Sequence, residues 1–331
     1  MNGVLVIDKP PGPTSHDVVA TVRRAIGVTR VGHTGTLDPL ATGVLPLVVG
    51  RATRLAQFLS AADKEYVADI RIGVVSETYD AEGPLTPFDA AEGGPFDMAR
   101  GRPLDFSQGW GVEFDRVSQG PLEAVLAEFR GTHWQVPPPY SAKKIGGTPA
   151  YKLARRNKPT ALEPVRVTVH DLEVLALERD LLRLRVVCSS GFYVRTLAHD
   201  LGRRLGCGAY LAALRRTRAG SFTLADAVPL DHAGPVGQDL VSRLIPLGRL
   251  LPEIPAVVLT EQGVRRVIHG NAVGPGHVQK GATPISENEG VLLSGGAPGG
   301  APVRLLDDSG GLLAIADWRP GGLLHPTIVL V

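Results

Sequence analysis

Residues 31–45, Val-Gly-His-Thr-Gly-Thr-Leu-Asp-Pro-Leu-Ala-Thr-Gly-Val-Leu, put one carboxylate on a loop of small residues ahead of an apolar run. Gly32, Gly35 and Gly43 let the backbone pass close to a bound group. Thr34, Thr36, Thr42 and His33 bring more hydrogen-bonding groups than a plain turn needs. An acid presented this way can act as a covalent nucleophile or as a base. A structural use competes with that chemistry: Asp38 followed by Pro39 suits a helix N-cap with proline at the first helical position. On the dipeptide alone the cap is the commoner use. A phosphate-binding loop is excluded, because it needs Gly-x-x-x-x-Gly-Lys-Ser/Thr and the segment holds no lysine. His33 and Asp38 give only two possible metal ligands, with no His/Cys cluster elsewhere to complete a site.

The elements that must hold this loop are legible from periodicity. Residues 3–8 are short and apolar and predict a buried strand. Ser15 is placed to cap a helix to Ile26, with Val18, Val19, Val22 and Ile26 on one face and Gly27 as its stop. Residues 65–75 alternate, with Tyr66, Ala68, Ile70, Ile72 and Val74 sharing a face. A short helix is expected over 121–130, with Leu122, Val125, Leu126 and Phe129 inward. Residues 165–177 and 181–188 predict a hairpin. A helix follows from Arg195 to Leu205, and a shorter one over 209–215. Hairpin strands with irregularly interspersed helices point to an α+β domain around a mostly antiparallel sheet. A boundary is expected near 250–255, dividing residues 1–250 from a small β-rich unit at 251–331. Residues 88–116 are rich in Gly, Pro and Asp and poor in periodicity, and 274–302, with its Gly295-Gly296-Ala297-Pro298-Gly299-Gly300 run, reads as a flexible excursion inside the last unit.

The chain has 331 residues, enough for two domains, and its 44% hydrophobic content suits a soluble globular protein. It holds no apolar run of membrane-spanning length, and its start, Met-Asn-Gly-Val-Leu-Val-Ile-Asp, lacks the charged and long apolar stretches of a signal peptide, so no secretory leader is expected. Two cysteines, Cys188 and Cys207, give no disulfide framework, so a reducing cytoplasm is expected. Net charge is only +2, yet the charge is segregated. Residues 143–158 hold Lys143, Lys144, Lys152, Arg155, Arg156 and Lys158 with no acid, and residues 195–218 hold six arginines against Asp200. Such segments form either solvated helix faces or a cationic groove.

The segment around Asp38 resembles the GHxGTLDPxAxGxL loop of the TruB family, bacterial tRNA pseudouridine-55 synthases, whose aspartate is catalytic. Residues 188–202, Cys-Ser-Ser-Gly-Phe-Tyr-Val-Arg-Thr-Leu-Ala-His-Asp-Leu-Gly, are similar to the family's CSxGTYIRxLxxDLG. The blocks Asp8-Lys9-Pro10-Pro11-Gly12-Pro13-Thr14-Ser15 and Gln135-Val136-Pro137-Pro138-Pro139-Tyr140-Ser141-Ala142-Lys143-Lys144 stand in the family's order. The resemblance implies the pseudouridine synthase fold, with a long mixed sheet and a cleft across its middle, and a PUA-like domain at 251–331; residues 88–116 lie where the family has a short connection and are read as an insertion. It implies isomerisation of the T-loop uridine of tRNA on a flipped-out nucleotide, without cofactor or metal. Asp38 would be the nucleophile, with Arg195 beside it keeping it ionised by lowering its pKa. Tyr66, in Lys64-Glu65-Tyr66, would stack on the base, Tyr193 and Leu214 would line the uracil pocket, and His33 would hold the opened loop. Lys9 would bridge sheet and loop, and Lys143, Lys144 and Arg155 would meet RNA phosphates. Phe192 stands where the family usually has threonine. The partner implied is the T-arm of tRNA, with no membrane and no obligatory protein partner. Competing readings are an RNA-guided relative acting on ribosomal RNA, and a non-catalytic or dual-role tRNA-binding or folding protein.

Overall fold

A computed structural model describes residues 1–88, 96–97, 102–103, 119–141, 143–145, 148–150, 162–230, 240–279 and 301–331. Most of the expected insertion at 88–116, and residues 280–300 of the Gly-rich stretch, fall outside these.

The chain opens with β1 (Gly3–Lys9), α1 (Ser15–Ile26), β2 (Val31–His33), β3 (Thr42–Val49) and β4 (Lys64–Ile72). It continues through α2 (Gln119–Ala127), β5 (Gly131–Gln135), β6 (Val165–Glu178), β7 (Leu181–Cys188), α3 (Val194–Arg204) and β8 (Ala209–Ala219). The strands join in one 11-stranded sheet, whose main path from the short strand Val228–Pro229 runs β1-β3-β8-β4-β7-β6-β5. Most neighbours are antiparallel; β3 and β8 are parallel, pairing Arg215 with Thr42 and Arg216 with Gly43. This is the mixed, mostly antiparallel sheet of an α+β fold.

Near its centre the sheet is buried on both faces. Leu5, Ile7, Leu45, Leu47 and Val49 point into a core shared with α1, α2 and α3, whereas Val4, Val6, Val44 and Val48 point the opposite way. Strands buried on both sides read as continuous apolar runs, which is why 3–8 shows little alternation. On the other side of the β4-β7-β6 region the face is charged: Arg183 pairs with Asp69, and Arg185 with Asp171 and Glu173.

Three local expectations are corrected. The cap of α1 is Thr14, which forms a capping box with Asp17; Ser15 is the first helical residue and is buried. The 65–75 strand stops at Ile72, since Gly73 (φ +95°) turns the chain and Val74 opens a separate strand, Val74–Ser76. The helix expected over 209–215 is strand β8. Leu211 and Leu214 are both buried three residues apart, a helical spacing, because a β-bulge between Leu211 and Ala213 inserts one residue into the pleat.

A second, four-stranded sheet is built from β9 (Ala256–Val258), β10 (Pro302–Leu306), β11 (Leu312–Arg319) and β12 (Leu323–Val329), with α4 (Glu261–Ile268) capped by Thr260. Its Leu312, Ile315 and Leu330 pack into the rear core with Val4, Val6, Val44 and Val48. No helix among the described residues is long and apolar enough to cross a membrane.

Candidate active site

The loop between β2 and β3 carries Asp38 and is fastened from several sides. The Ala41 N–H donates to Asp38 O (3.1 Å), closing a turn rather than starting a helix, so the capping use of Asp38 is overturned. Lys9 lies wholly buried beneath it, and its Nζ donates to Pro10 O (3.0 Å), Pro39 O (3.0 Å) and Ala41 O (2.7 Å). Ser15 Oγ accepts from Leu37 N–H (2.8 Å) and donates to Leu37 O (3.1 Å). Gly43 has φ +99°, and a Cβ there would stand 2.2 Å from Arg216 O, so only glycine lets β3 meet β8.

Freed from capping, the Asp38 carboxylate meets Arg195, which enters from the first turn of α3. Arg195 Nε is 2.9 Å from Asp38 Oδ2, and Nη2 donates to Oδ1 at 3.1 Å, a two-pronged pair. The rest of the guanidinium is spent on protein: Nη1 reaches Asp80 Oδ2 (3.3 Å) and Thr78 O (3.3 Å), and Nη2 reaches Tyr140 O (3.0 Å). Asp80 is itself fixed, its Oδ1 accepting from Thr78 Oγ1 (2.5 Å) and Glu82 N–H (3.1 Å). Side-chain exposure separates the roles: Arg195 is 7% and Asp80 3% exposed, whereas Asp38 is 34% exposed. Of the three, Asp38 is the group that a ligand can touch.

Opposing influences meet at Asp38. Burial and the like charge of Asp80 push the Asp38 pKa above the usual aspartate range, and Arg195 and Lys9 only oppose that rise. Arg195 lowers the Asp38 pKa as expected of it, but the net direction is upward. Burial brings Lys9 down to about 8. Tyr66 is buried on β4; burial raises its hydroxyl pKa, against a hydrogen bond from Arg216. Tyr193 precedes α3, and burial raises its hydroxyl as well, with Arg195 and Asp38 the next influences. Both tyrosines thus lie within electrostatic reach of Asp38. Gln135 fixes Tyr193 by the backbone, accepting from its N–H (2.8 Å) and donating to its C=O (3.0 Å).

The remaining expected residues are more scattered. Leu214 is buried on β8, and its carbonyl accepts from Thr42 Oγ1 (3.4 Å). His33 closes β2 edge-on to His16, with ring centroids 6.0 Å apart, and burial lowers its pKa. Lys143 Nζ donates to Glu163 O (2.7 Å). The Lys144 side chain and Arg155 lie outside the described residues. The arginine-rich stretch 195–218 is largely spent internally: Arg216 is buried against Val44 O (2.6 Å) and Gly35 O (3.2 Å), Arg215 grips Asp8 (2.8 Å) and Arg204 holds Glu128 (2.6 Å). Asp80, Arg216 and Gln135 were not singled out in the sequence. Gln135 did open one of the quoted blocks; the other two carry no spacing that ties them to residue 38.

The site is thus an arginine-paired aspartate on a loop of the mixed sheet, with the buried Tyr66 and the half-buried Tyr193 within its electrostatic reach. The TruB family pseudouridylate synthase N-terminal domain matches residues 23–92 and 107–194, and the tRNA pseudouridylate synthase B C-terminal domain matches residues 195–233. A tRNA pseudouridine synthase B of Solibacter usitatus is 40% identical over 332 residues, covering 100% of both chains. That of Symbiobacterium thermophilum is 43% identical over 275 residues, covering 82% of this chain and 83% of its own. Among solved structures, a chain of a Cbf5-Nop10-Gar1 complex is similar with TM-score 0.67 and 26% identity, covering 99% of this chain and 85% of that one. The chain belongs to the TruB family.

Proposed function

We propose that the protein converts the T-loop uridine of tRNA to pseudouridine with Asp38 as the acting carboxylate. The observation that carries this is the two-pronged Asp38–Arg195 pair, open to solvent on the carboxylate side alone. The reaction breaks N1–C1′ and joins C5 to C1′; the C5 proton leaves and N1 gains one, so the product is an isomer. Ionised Asp38 either attacks C1′ or removes the C2′ proton to give a glycal-type intermediate. In this reading Tyr66, with Arg216 on its hydroxyl, stacks on the base, and Tyr193 and Leu214 wall the uracil. Asp80 and Tyr140 O hold Arg195 in line. A uridine inside a folded loop must first be flipped out, at a cost of about a few kcal/mol. His33 holds the opened loop, and Lys143, Lys144 and Arg155 meet phosphates, which orient RNA without reading its sequence.

The identities favour this substrate over the guided alternative: the curated relatives at 40–43% are named for tRNA, against 26% for the chain assembled with Nop10 and Gar1. We also propose that residues 251–331 form a PUA-like RNA-binding unit in a cytoplasmic enzyme that needs no protein partner; its separate four-stranded sheet supports the first part. The segment 88–116 is proposed as an insertion, and the family match passes over residues 93–106 within it.

The test is incubation with unmodified tRNA transcript, then mapping of pseudouridine by position. Product at the T-loop uridine is expected from wild type, and none from Asp38→Asn, with tRNA binding nearly intact. Undiminished product from Asp38→Asn would refute the assignment.

A further inference from the structure

Arg195 is anchored by Asp80 and Thr78, and these belong to a turn that must itself be held. Tyr79 N–H donates to Ser76 O (3.1 Å), and Ser76 Oγ donates to Asp80 O (2.6 Å). The turn is stitched to β8 at its bulge, where Leu211 N–H donates to Tyr79 O (3.0 Å) and Ala81 N–H to Leu211 O (3.1 Å). These bonds leave Tyr79 at φ +66°, a left-handed conformation uncommon for a bulky side chain. Its ring lies flat on His199 of α3, centroids 3.8 Å apart and planes 10° apart. His199 follows Arg195 by four residues and so shares its helix face. His199 Nδ1 is buried without a hydrogen-bond partner among the described residues. Ring contact, not a polar bond at that nitrogen, therefore seats the imidazole. Burial brings its pKa down to about 4, so a neutral ring stacks at working pH.

We propose that Tyr79 is a positioning residue for the reaction: its stack on His199 docks the 76–82 turn against α3, so that Asp80 and Thr78 O hold the guanidinium at the angle that meets Asp38. The inference rests on the reading of Asp38 as the acting carboxylate. Without the ring, the turn keeps its backbone bonds to β8 but loses its contact with α3, and can shift relative to Arg195. A shift of about 1 Å at a catalytic group is enough to cost about a hundredfold in rate.

Steady-state kinetics on unmodified tRNA transcript test this. Tyr79→Phe keeps the ring and is expected within about twofold of wild type in kcat, since stacking needs no hydroxyl. Tyr79→Gly accepts the left-handed backbone without strain but has no ring; it is expected to stay folded and lose about tenfold or more in kcat, with KM within about twofold. His199→Ala should match it, and the double variant should be no slower than either single one beyond about twofold, as for two halves of one contact. A Tyr79→Gly protein that folds and turns over at the wild-type kcat overturns the proposal, as does a change confined to KM. If His199→Ala alone fails to fold, the Phe and Gly variants still decide. Loss of product in Asp38→Asn beside an active wild type secures the underlying reading; a wild type with no product would overturn both.

Discussion

Asp38 differs from its neighbouring carboxylate Asp80 in having one side open, at 34% against 3% exposure, while sharing the same arginine. On the Asp38-Pro39 dipeptide alone the helix cap was the favoured use, and the family motif tipped the choice to a nucleophile. The structure supplies the physical reason: the loop is pinned by Lys9 and Ser15, so no helix starts at Pro39. Asp80 was not legible because its link to residue 38 runs through a guanidinium 115 or more residues further along the chain in either case, and no local spacing encodes that. The pair gives a pH prediction. In the proposed reaction Asp38 acts ionised, and its pKa is raised by burial and by Asp80. Activity should therefore fall as pH drops through a value above the usual aspartate range. Asp80→Asn removes a like charge, which lowers the Asp38 pKa, so the acid limb of the kcat profile should move to lower pH. The same change loosens Arg195 and should slow the plateau rate by about tenfold to a hundredfold. A limb that stays in place, read by single-turnover rates from pH 4.5 to 8, would show that Asp80 serves Arg195 by geometry alone.

At the scale of elements, strands β4, β6 and β7 and helices α1 to α3 were legible within a few residues because each buries one face at its own period, and β1 because burial on both faces leaves an unbroken apolar run. The failure was β8, the strand that closes the site. Its bulge shifts the apolar positions from every second residue to Leu211 and Leu214, and the short run Tyr-Leu-Ala-Ala-Leu then imitates a helix. What makes it a strand is tertiary: β4 on one side and β3 on the other claim its backbone. Junctions of this kind tolerate no added atoms. Gly43→Ala would put a methyl group 2.2 Å from Arg216 O at φ +99°. It is expected to cost about 3–5 kcal/mol, the range of severe core changes, and to abolish turnover by parting β3 from β8 beside the Asp38 loop. Urea unfolding followed by circular dichroism, with an activity assay on the folded fraction, checks this. A stable, active Gly43→Ala protein would mean that the β3–β8 contact is not what frames the loop.

At the scale of the whole molecule, the two sheets share an apolar layer, so residues from both ends of the chain stand in one core. The small sheet is further tied down by Arg304 on β10, a buried guanidinium whose hydrogen bonds among the described residues go to backbone carbonyls. Its Nε donates to Ile254 O (2.8 Å) and its Nη atoms to Leu250 O (3.3 Å) and Pro252 O (3.5 Å), clasping the segment that joins the two sheets. Replacement by leucine keeps the packing but leaves buried carbonyls without donors, at about 1–3 kcal/mol. The cysteines offer a reporter from the far side of this contact. Cys188 and Cys207 are buried against the large sheet, and burial pushes both thiols up to about 12, so neither should alkylate at pH 8 until that sheet opens. If the shared layer makes the molecule one cooperative unit, Arg304→Leu should lower the urea midpoint for cysteine alkylation by the same amount as the midpoint for amide exchange in β10 to β12. If the thiols keep their wild-type midpoint while the β10 to β12 amides exchange early, the small sheet opens alone and the common layer does not couple them.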